Sequence, residues 1–293
     1  MIDIRGLTKA YGSHRAVDEL SFTAPPGNVT GFLGPNGAGK TTTLRCLLGL
    51  ATPTAGEALI GGRRYAELTH PRRDVGAVLE SSGFHPHRSG RDHLRVIARA
   101  ARLDHRRIDT LLELVGLTSA DRRRVGSYSL GMRQRLGLAA AMLGDPATVV
   151  LDEPSNGLDP EGVAWVRRLL RGWAEEGRTV LVSSHLLAEV AQVVDRVVIV
   201  AGGRLVSETE IAELTVAGVL VRADRPEAMA AALDSAGIAH EVLSDGAISV
   251  SSSDPASIGA LARAAGVTLN ELSRRSPGET LETMFLAATG GGS

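Results

Sequence analysis

The stretch GPNGAGKTT, Gly34 to Thr42, lies between the apolar run VTGFL at 29–33 and the run LRCLL at 44–48. Gly34, four residues, Gly39, Lys40 and Thr41 have the spacing of a P-loop. A backbone that holds phosphate must curl tightly enough to aim several N–H groups inward, and side chains at the glycines would obstruct that curl. The segment after the loop reads as a helix, whose N-terminus adds unpaired N–H groups and the positive end of its dipole. Gly34, Pro35, Asn36, Gly37, Ala38, Gly39, Lys40, Thr41 and Thr42 are therefore expected to form an anion cradle. Lys40 would reach the β and γ phosphates, and the Thr41 hydroxyl would ligate Mg2+. On this motif alone ATP, GTP and binding without hydrolysis all stay open.

The rest of the chain narrows the setting. Its 293 residues, 43% hydrophobic, suffice for one large domain and a small one with ordinary cores. A net charge of −1 supplies no global basic field, which weakens readings that act on DNA or ribosomes. The single cysteine, Cys46, excludes an internal disulfide framework, fits a reducing compartment and falls on the apolar side of its helix, as a buried thiol would. The start MIDIRGLTKAYG has no signal-type apolar core, and no uninterrupted apolar stretch is long enough to span a bilayer. A soluble, cytoplasmic chain is expected. Basic residues are almost all arginine, the lysines being Lys9 and Lys40.

Two regions differ in style. Over 1–207, the runs IDIRGL, NVTGFLG, DVGAVLE, TVVLDEP, RTVLVSSH and RVVIVAGGR are expected strands separated by helical patterns, which indicates a largely parallel, covered sheet. A mostly helical stretch, about 85–145, reads as a subdomain inserted between strands. After Ile211 the order strand, helix, strand, strand, helix, strand suggests a small split βαβ domain over 212–289, with a flexible tail at 290–293. The expected class is α/β, a P-loop NTPase fold with an inserted helical subdomain and a small C-terminal α+β domain.

TVVLDEP, Thr148 to Pro154, ends an apolar strand in two carboxylates. Side chains alternate along a strand, so Asp152 and Glu153 can divide two tasks. Asp152 would hold Mg2+, through water, and Glu153 would polarise the water that attacks the γ phosphate. Asp152 and Lys40 then belong to one site.

YSLGMRQRLGLAAAMLGDP before that strand, NGLD after it and VSSH after the next strand together resemble the nucleotide-binding domain of an ATP-binding cassette (ABC) transporter. The order of motifs over about Ile2 to Ser207 carries the resemblance. It implies ATP as the nucleotide, Tyr11 as the aromatic that stacks on adenine, Ser129 and Gly131 as signature residues, Asp159 in the D-loop, and His185 as the switch histidine at the γ phosphate. Ser129 precedes a helical run, so its hydroxyl and the first N–H groups make an anion-binding end. In the family that end faces the nucleotide of the other subunit. One P-loop and one signature per chain imply a homodimer, or a pair with a similar ATPase.

Two positions depart from the family pattern. YSLGM stands where LSGGQ is common, with Leu130 and Met132 in place of glycine and glutamine. Glu80 stands where the family has the Q-loop glutamine, so the resemblance implies a catalytic and metal-facing role for a carboxylate that accepts hydrogen bonds but cannot donate them when ionised. Acidic residues there are familiar in the bacitracin and lantibiotic resistance branch. The end LETMFLAAT resembles ATPases paired with ABC-2-type permeases. The resemblance thus implies an exporter ATPase of drugs or antibiotics, peripheral at the inner face of the membrane, coupled through a separate permease near Glu80 to Arg102. The alternatives are an importer ATPase and a soluble ABC ATPase acting on nucleic acid or ribosomes. The latter commonly carries two cassettes or long coiled coils, and this chain has neither.

Overall fold

The computed structural model describes residues 1–79, 83–185, 191–215, 218–243, 245–250, 254–274 and 285. The chain divides into two compact units, Met1–Glu208 and Thr209–Ser293.

In the first unit, strand β1 (Ile2–Tyr11) pairs antiparallel with β2 (His14–Ala24) on one side and β4 (Ala55–Ile60) on the other. The second sheet has the order β5-β6-β7-β3-β8-β9. Its members are β3 (Val29–Leu33), β5 (Val75–Val78), β6 (Thr148–Asp152), β7 (Thr179–Ser184), β8 (Arg196–Ala201) and β9 (Arg204–Glu210). From β5 to β8 every pairing is parallel. β3, β6 and β7 are buried at every position, as strands covered on both faces must be. Between β8 and β9 Gly202 and Gly203 both have left-handed φ, 56° and 80°, the conformation of a two-residue hairpin turn.

The parallel sheet matches the reading from sequence, and the antiparallel one adds to it. Apolar runs state burial, not strand direction, and shifts of register between Ile4 and Leu7 blur the alternation of β1. Helix α1 (Lys40–Leu47) lies between the two sheets, and one core joins Ile4 and Leu7 of β1, Phe22 of β2, Phe32 of β3, Leu44 and Leu47 of α1, and Val198 of β8. Phe22 and Phe32 stack with centroids 5.0 Å apart. Cys46 is buried in this cluster, and burial pushes its thiol above the ordinary range, which makes it inert.

After the short helix α2 (Pro71–Asp74), helices α3 (Gly90–Ala100), α4 (Arg107–Leu114) and α5 (Leu130–Ala141) fill the insertion between β5 and β6. Ser89 caps α3 by accepting from the Asp92 N–H at 3.1 Å. α5 packs directly on β5: a Cβ on Gly76 would stand 2.4 Å from the Ala141 carbonyl oxygen. Arg107 of α4 and Arg178, before β7, both hold Asp145, which ties the insertion to the sheet and lowers the Asp145 carboxyl to about 2. Helix α6 (Pro160–Glu175) follows β6 and packs against β7 and β3.

The second unit carries α7 (Ile211–Thr215), β10 (Val219–Ala223), α8 (Pro226–Ser235), β11 (His240–Val242), β12 (Ile248–Val250), α9 (Pro255–Ala264) and β13 (Leu269–Arg274). Its antiparallel sheet has the order β11-β12-β10-β13. Alternate residues Val219, Val221, Ile248 and Val250 bury one face of it in a cluster with Met229, Leu233, Ile258 and Ala262 of the helices. Apart from Phe285, the terminal LETMFLAAT lies outside the described residues.

Candidate active site

The phosphate loop leaves the C-terminal end of β3, at the centre of the parallel sheet. Gly39 caps α1 with φ 97°, and a Cβ there would stand 2.3 Å from the Ala16 carbonyl oxygen. A Cβ on Gly34 would stand 2.4 Å from the Val200 carbonyl oxygen. Neighbouring backbone therefore clamps the loop at both ends, and only glycine fits. Inside it the Lys40 ammonium donates to the carbonyls of Gly34, at 2.6 Å, and Pro35, at 3.2 Å, and is 7% exposed. An ammonium already desolvated and aimed at the loop interior is poised for phosphate oxygens.

The adjacent strands supply the acids. Asp152, the last residue of β6, accepts from the Thr41 hydroxyl at 2.7 Å through one oxygen and from the Ser183 hydroxyl through the other. Glu153 follows with φ 49°, a left-handed conformation unusual for glutamate and of the kind found where a site needs a side chain aimed off the strand. One carboxylate oxygen of Glu153 lies 3.7 Å from the Lys40 ammonium, and the other lies 2.8 Å from Nδ1 of His185. The Glu153 N–H donates to both the carbonyl and the hydroxyl of Ser183, at 3.2 and 3.1 Å, and Gln134 of α5 donates to the Glu153 carbonyl at 3.4 Å.

A cavity of about 390 Å³ opens at this point, lined by Tyr11, His14, Ala16, the loop from Pro35 to Thr42 and Glu153. Tyr11 ends β1 at its rim, half exposed, with the Lys9 ammonium 4.8 Å from the ring centre. The ring thus has one face held and a large area open, the arrangement a flat base needs.

Ser129, Gly131 and Asp159 lie elsewhere. They line a second cavity, about 560 Å³, with Leu130, Met132, Gly157 and Leu158. The Ser129 hydroxyl caps α5 by accepting from the Met132 N–H at 3.2 Å, and Asp159 caps α6 by accepting from Gly162 N–H at 2.8 Å. Leu130, 45% exposed, covers Gly157 so closely that a Cβ there would lie 2.2 Å from it. The sequence residues thus fall into two groups on one chain: the loop, Asp152, Glu153, His185 and Tyr11 in one, the signature and D-loop in the other.

Among the described residues no cluster of three or more His, Cys, Asp or Glu side chains could hold a metal ion. Thr41 and Asp152 alone place one hydroxyl and one carboxylate side by side. That sparse, all-oxygen set fits Mg2+, which keeps several waters and takes phosphate oxygens for the rest. Glu80, the third metal-facing expectation, lies outside the described residues.

Ser183 and Gln134 were not singled out from sequence, and His14 and Ala16 of the cavity wall were not either. Ser183 carried a faint signal, two residues before His185 in VSSH. Gln134 carried none, because its role depends on where α5 passes β6.

Comparison with known proteins bears on the family of the chain. A family model described as ABC transporter matches residues 17–156, and one described as a domain of unknown function matches residues 216–282. The chain is 43% identical over 211 residues to a bacitracin transport ATP-binding protein of Bacillus licheniformis, covering 71% of this chain and 69% of that one. It is 39% identical over 212 residues to the Nod factor export ATP-binding protein I of Burkholderia lata, covering 71% and 70%. The solved structure of an ATP-binding subunit of an ABC transporter is 27% identical, with a TM-score of 0.67 over 73% of this chain and 91% of that one. The chain belongs to the ABC transporter family, as an ATP-binding, ATP-hydrolysing subunit.

Proposed function

We propose that two such chains, identical or similar, close over ATP and drive a separate membrane permease that exports a peptide antibiotic or a related compound. The observation that carries the chemistry is Glu153 held between His185 and Lys40 at the mouth of the loop cavity. The loop N–H groups and Lys40 hold the phosphates, and Tyr11 stacks on the base. Glu153 accepts a proton from a water whose oxygen bonds the γ phosphorus while the bridging oxygen leaves with ADP. His185 orients that carboxylate. Mg2+, held by Thr41 and Asp152, would offset charge on the phosphates.

The separate cavity around Ser129, at the N-terminal, dipole-positive end of α5, supports a partner's nucleotide as the thing that this second group faces. No described helix is long and apolar enough to cross a membrane; the relatives named as transport ATP-binding proteins support a separate membrane partner. The chain acts at the cytoplasmic face, on an ABC-2-type permease, with an ATPase domain over 1–207 and an accessory domain over 212–289. The relative named for Nod factor export supports the outward direction.

Glu153→Gln keeps the shape of the side chain and removes its charge. ATP binding should persist while turnover falls by about 100-fold or more. Near-normal turnover would remove Glu153 from the role of base. Export is tested by co-expression with a permease encoded beside this chain and measurement of resistance to peptide antibiotics. Resistance that needs both chains and an intact Glu153 is the expected result, and resistance from the permease alone would contradict it.

A further inference from the structure

We propose that Ser183 is a positioning residue of the ATPase site, one hydroxyl that holds both Asp152 and Glu153; this rests on the roles assigned to those carboxylates above. Ser183 is fully buried on β7, directly opposite Asp152 of β6 in the parallel register. A serine hydroxyl has one hydrogen to donate and lone pairs to accept with. Here both are used. The hydrogen goes to one oxygen of the Asp152 carboxylate, and the Glu153 N–H arrives at 3.1 Å.

Each bond acts on a different task. Thr41 holds the other Asp152 oxygen at 2.7 Å, so the carboxylate is pinned from both sides and cannot rotate away from the metal-facing position. Glu153 has left-handed backbone, and its N–H stays in place through the paired contacts with the Ser183 carbonyl and hydroxyl. Two residues farther along the chain His185 holds the Glu153 carboxylate. One segment, 183–185, therefore grips Glu153 at its backbone and at its tip. An apolar side chain at 183 would fill the space but leave a buried Asp152 oxygen one donor short, a costly state for a group 5% exposed. The Lys40 ammonium is held by the Gly34 and Pro35 carbonyls and makes no bond to this hydroxyl. The effect should fall on turnover and on the divalent-ion requirement, and spare the affinity for nucleotide.

The test uses the full chain with Ser183→Ala, and the pair Ser183→Thr and Ser183→Val, which match in size and differ in the hydroxyl. Four quantities are measured: kcat, KM for ATP, the Mg2+ concentration for half-maximal binding of a non-hydrolysable ATP analogue, and the melting temperature. Ala and Val should lose about tenfold or more in kcat and need more Mg2+, with KM within about threefold, while Thr keeps several-fold more turnover than Val. Wild-type kcat and Mg2+ dependence in Ala would overturn the proposal, as would equal losses in Thr and Val. If the added methyl unfolds both, Ala decides, assayed well below its melting temperature. Glu153→Gln is run alongside. Normal turnover in that variant would fell the site assignment itself, whereas an inactive Glu153→Gln with an unaffected Ser183→Ala would fell this inference alone.

Discussion

Gly39→Ala attacks the phosphate loop where backbone crowds it most, and Gly37→Ala supplies the control. At Gly39 two costs add. Its φ of 97° is one that side chains rarely tolerate, which costs about 1–3 kcal/mol. The new Cβ would also start 2.3 Å from the Ala16 oxygen, and the loop must retreat by about 0.7 Å before the contact reaches even 3.0 Å. Overpacking of that kind adds a further cost of roughly 1–3 kcal/mol. Gly37 shares the first cost, with φ 82°, but a Cβ there meets nothing within 4 Å. In a unit of this size each kcal/mol moves the melting point by about 2–4 °C, so Gly39→Ala should melt several degrees below Gly37→Ala. The retreat also displaces the N–H groups that face phosphate, so ATP affinity should fall at least about tenfold for Gly39→Ala and much less for Gly37→Ala. The assays are thermal melting without nucleotide and ATP titration. Equal melting points and equal affinities in the two variants would refute the claim that close backbone contact, and not φ alone, dictates glycine at 39.

Lys40→Ala removes the buried cation and its charge-assisted bonds, so ATP affinity measured by titration should fall by about 10–100-fold; an unchanged titration would contradict the cradle. Asp145→Asn tests the link between α4 and the sheet. The folded carboxyl lies at about 2 against 3.8 for the ordinary group, so its contribution is present above about pH 4 and lost as pH falls toward 2. The shift corresponds to about 2 kcal/mol, and since the side chain is half exposed, solvent screening reduces this to about 1 kcal/mol. The variant should be less stable than wild type at pH 7 in urea, and the gap should narrow by pH 3; a gap independent of pH would contradict the assignment.

What could be read from the chain, and what could not, divides by the range of the interaction. GPNGAGKTT is local: strand, turn and helix follow one another, and the glycine spacing states the geometry without help from elsewhere. Asp152 and Glu153 were legible as the polar end of an apolar strand. Their surroundings were not, because Ser183 reaches Asp152 only through the parallel register of β6 and β7, and Gln134 reaches Glu153 only through the passage of α5. Sheet membership was partly hidden for the same reason. IDIRGL reads as a strand, yet nothing in it says that its partners, β2 and β4, run antiparallel. Asp159 and Ser129 show a further ambiguity, since a residue chosen for a nucleotide also serves as a helix cap.

In the proposed function, ATP bound at the loop of one chain is closed over by the Ser129 surface of another. Light scattering on the Glu153→Gln chain measures this directly, because that variant should bind ATP and fail to clear it. One chain per particle is expected without nucleotide, two with ATP and Mg2+, and one again when Ser129→Arg is added to the same chain. A mass that stays at one chain with ATP bound, while the wild-type protein hydrolyses ATP at that same mass, would contradict closure between two chains.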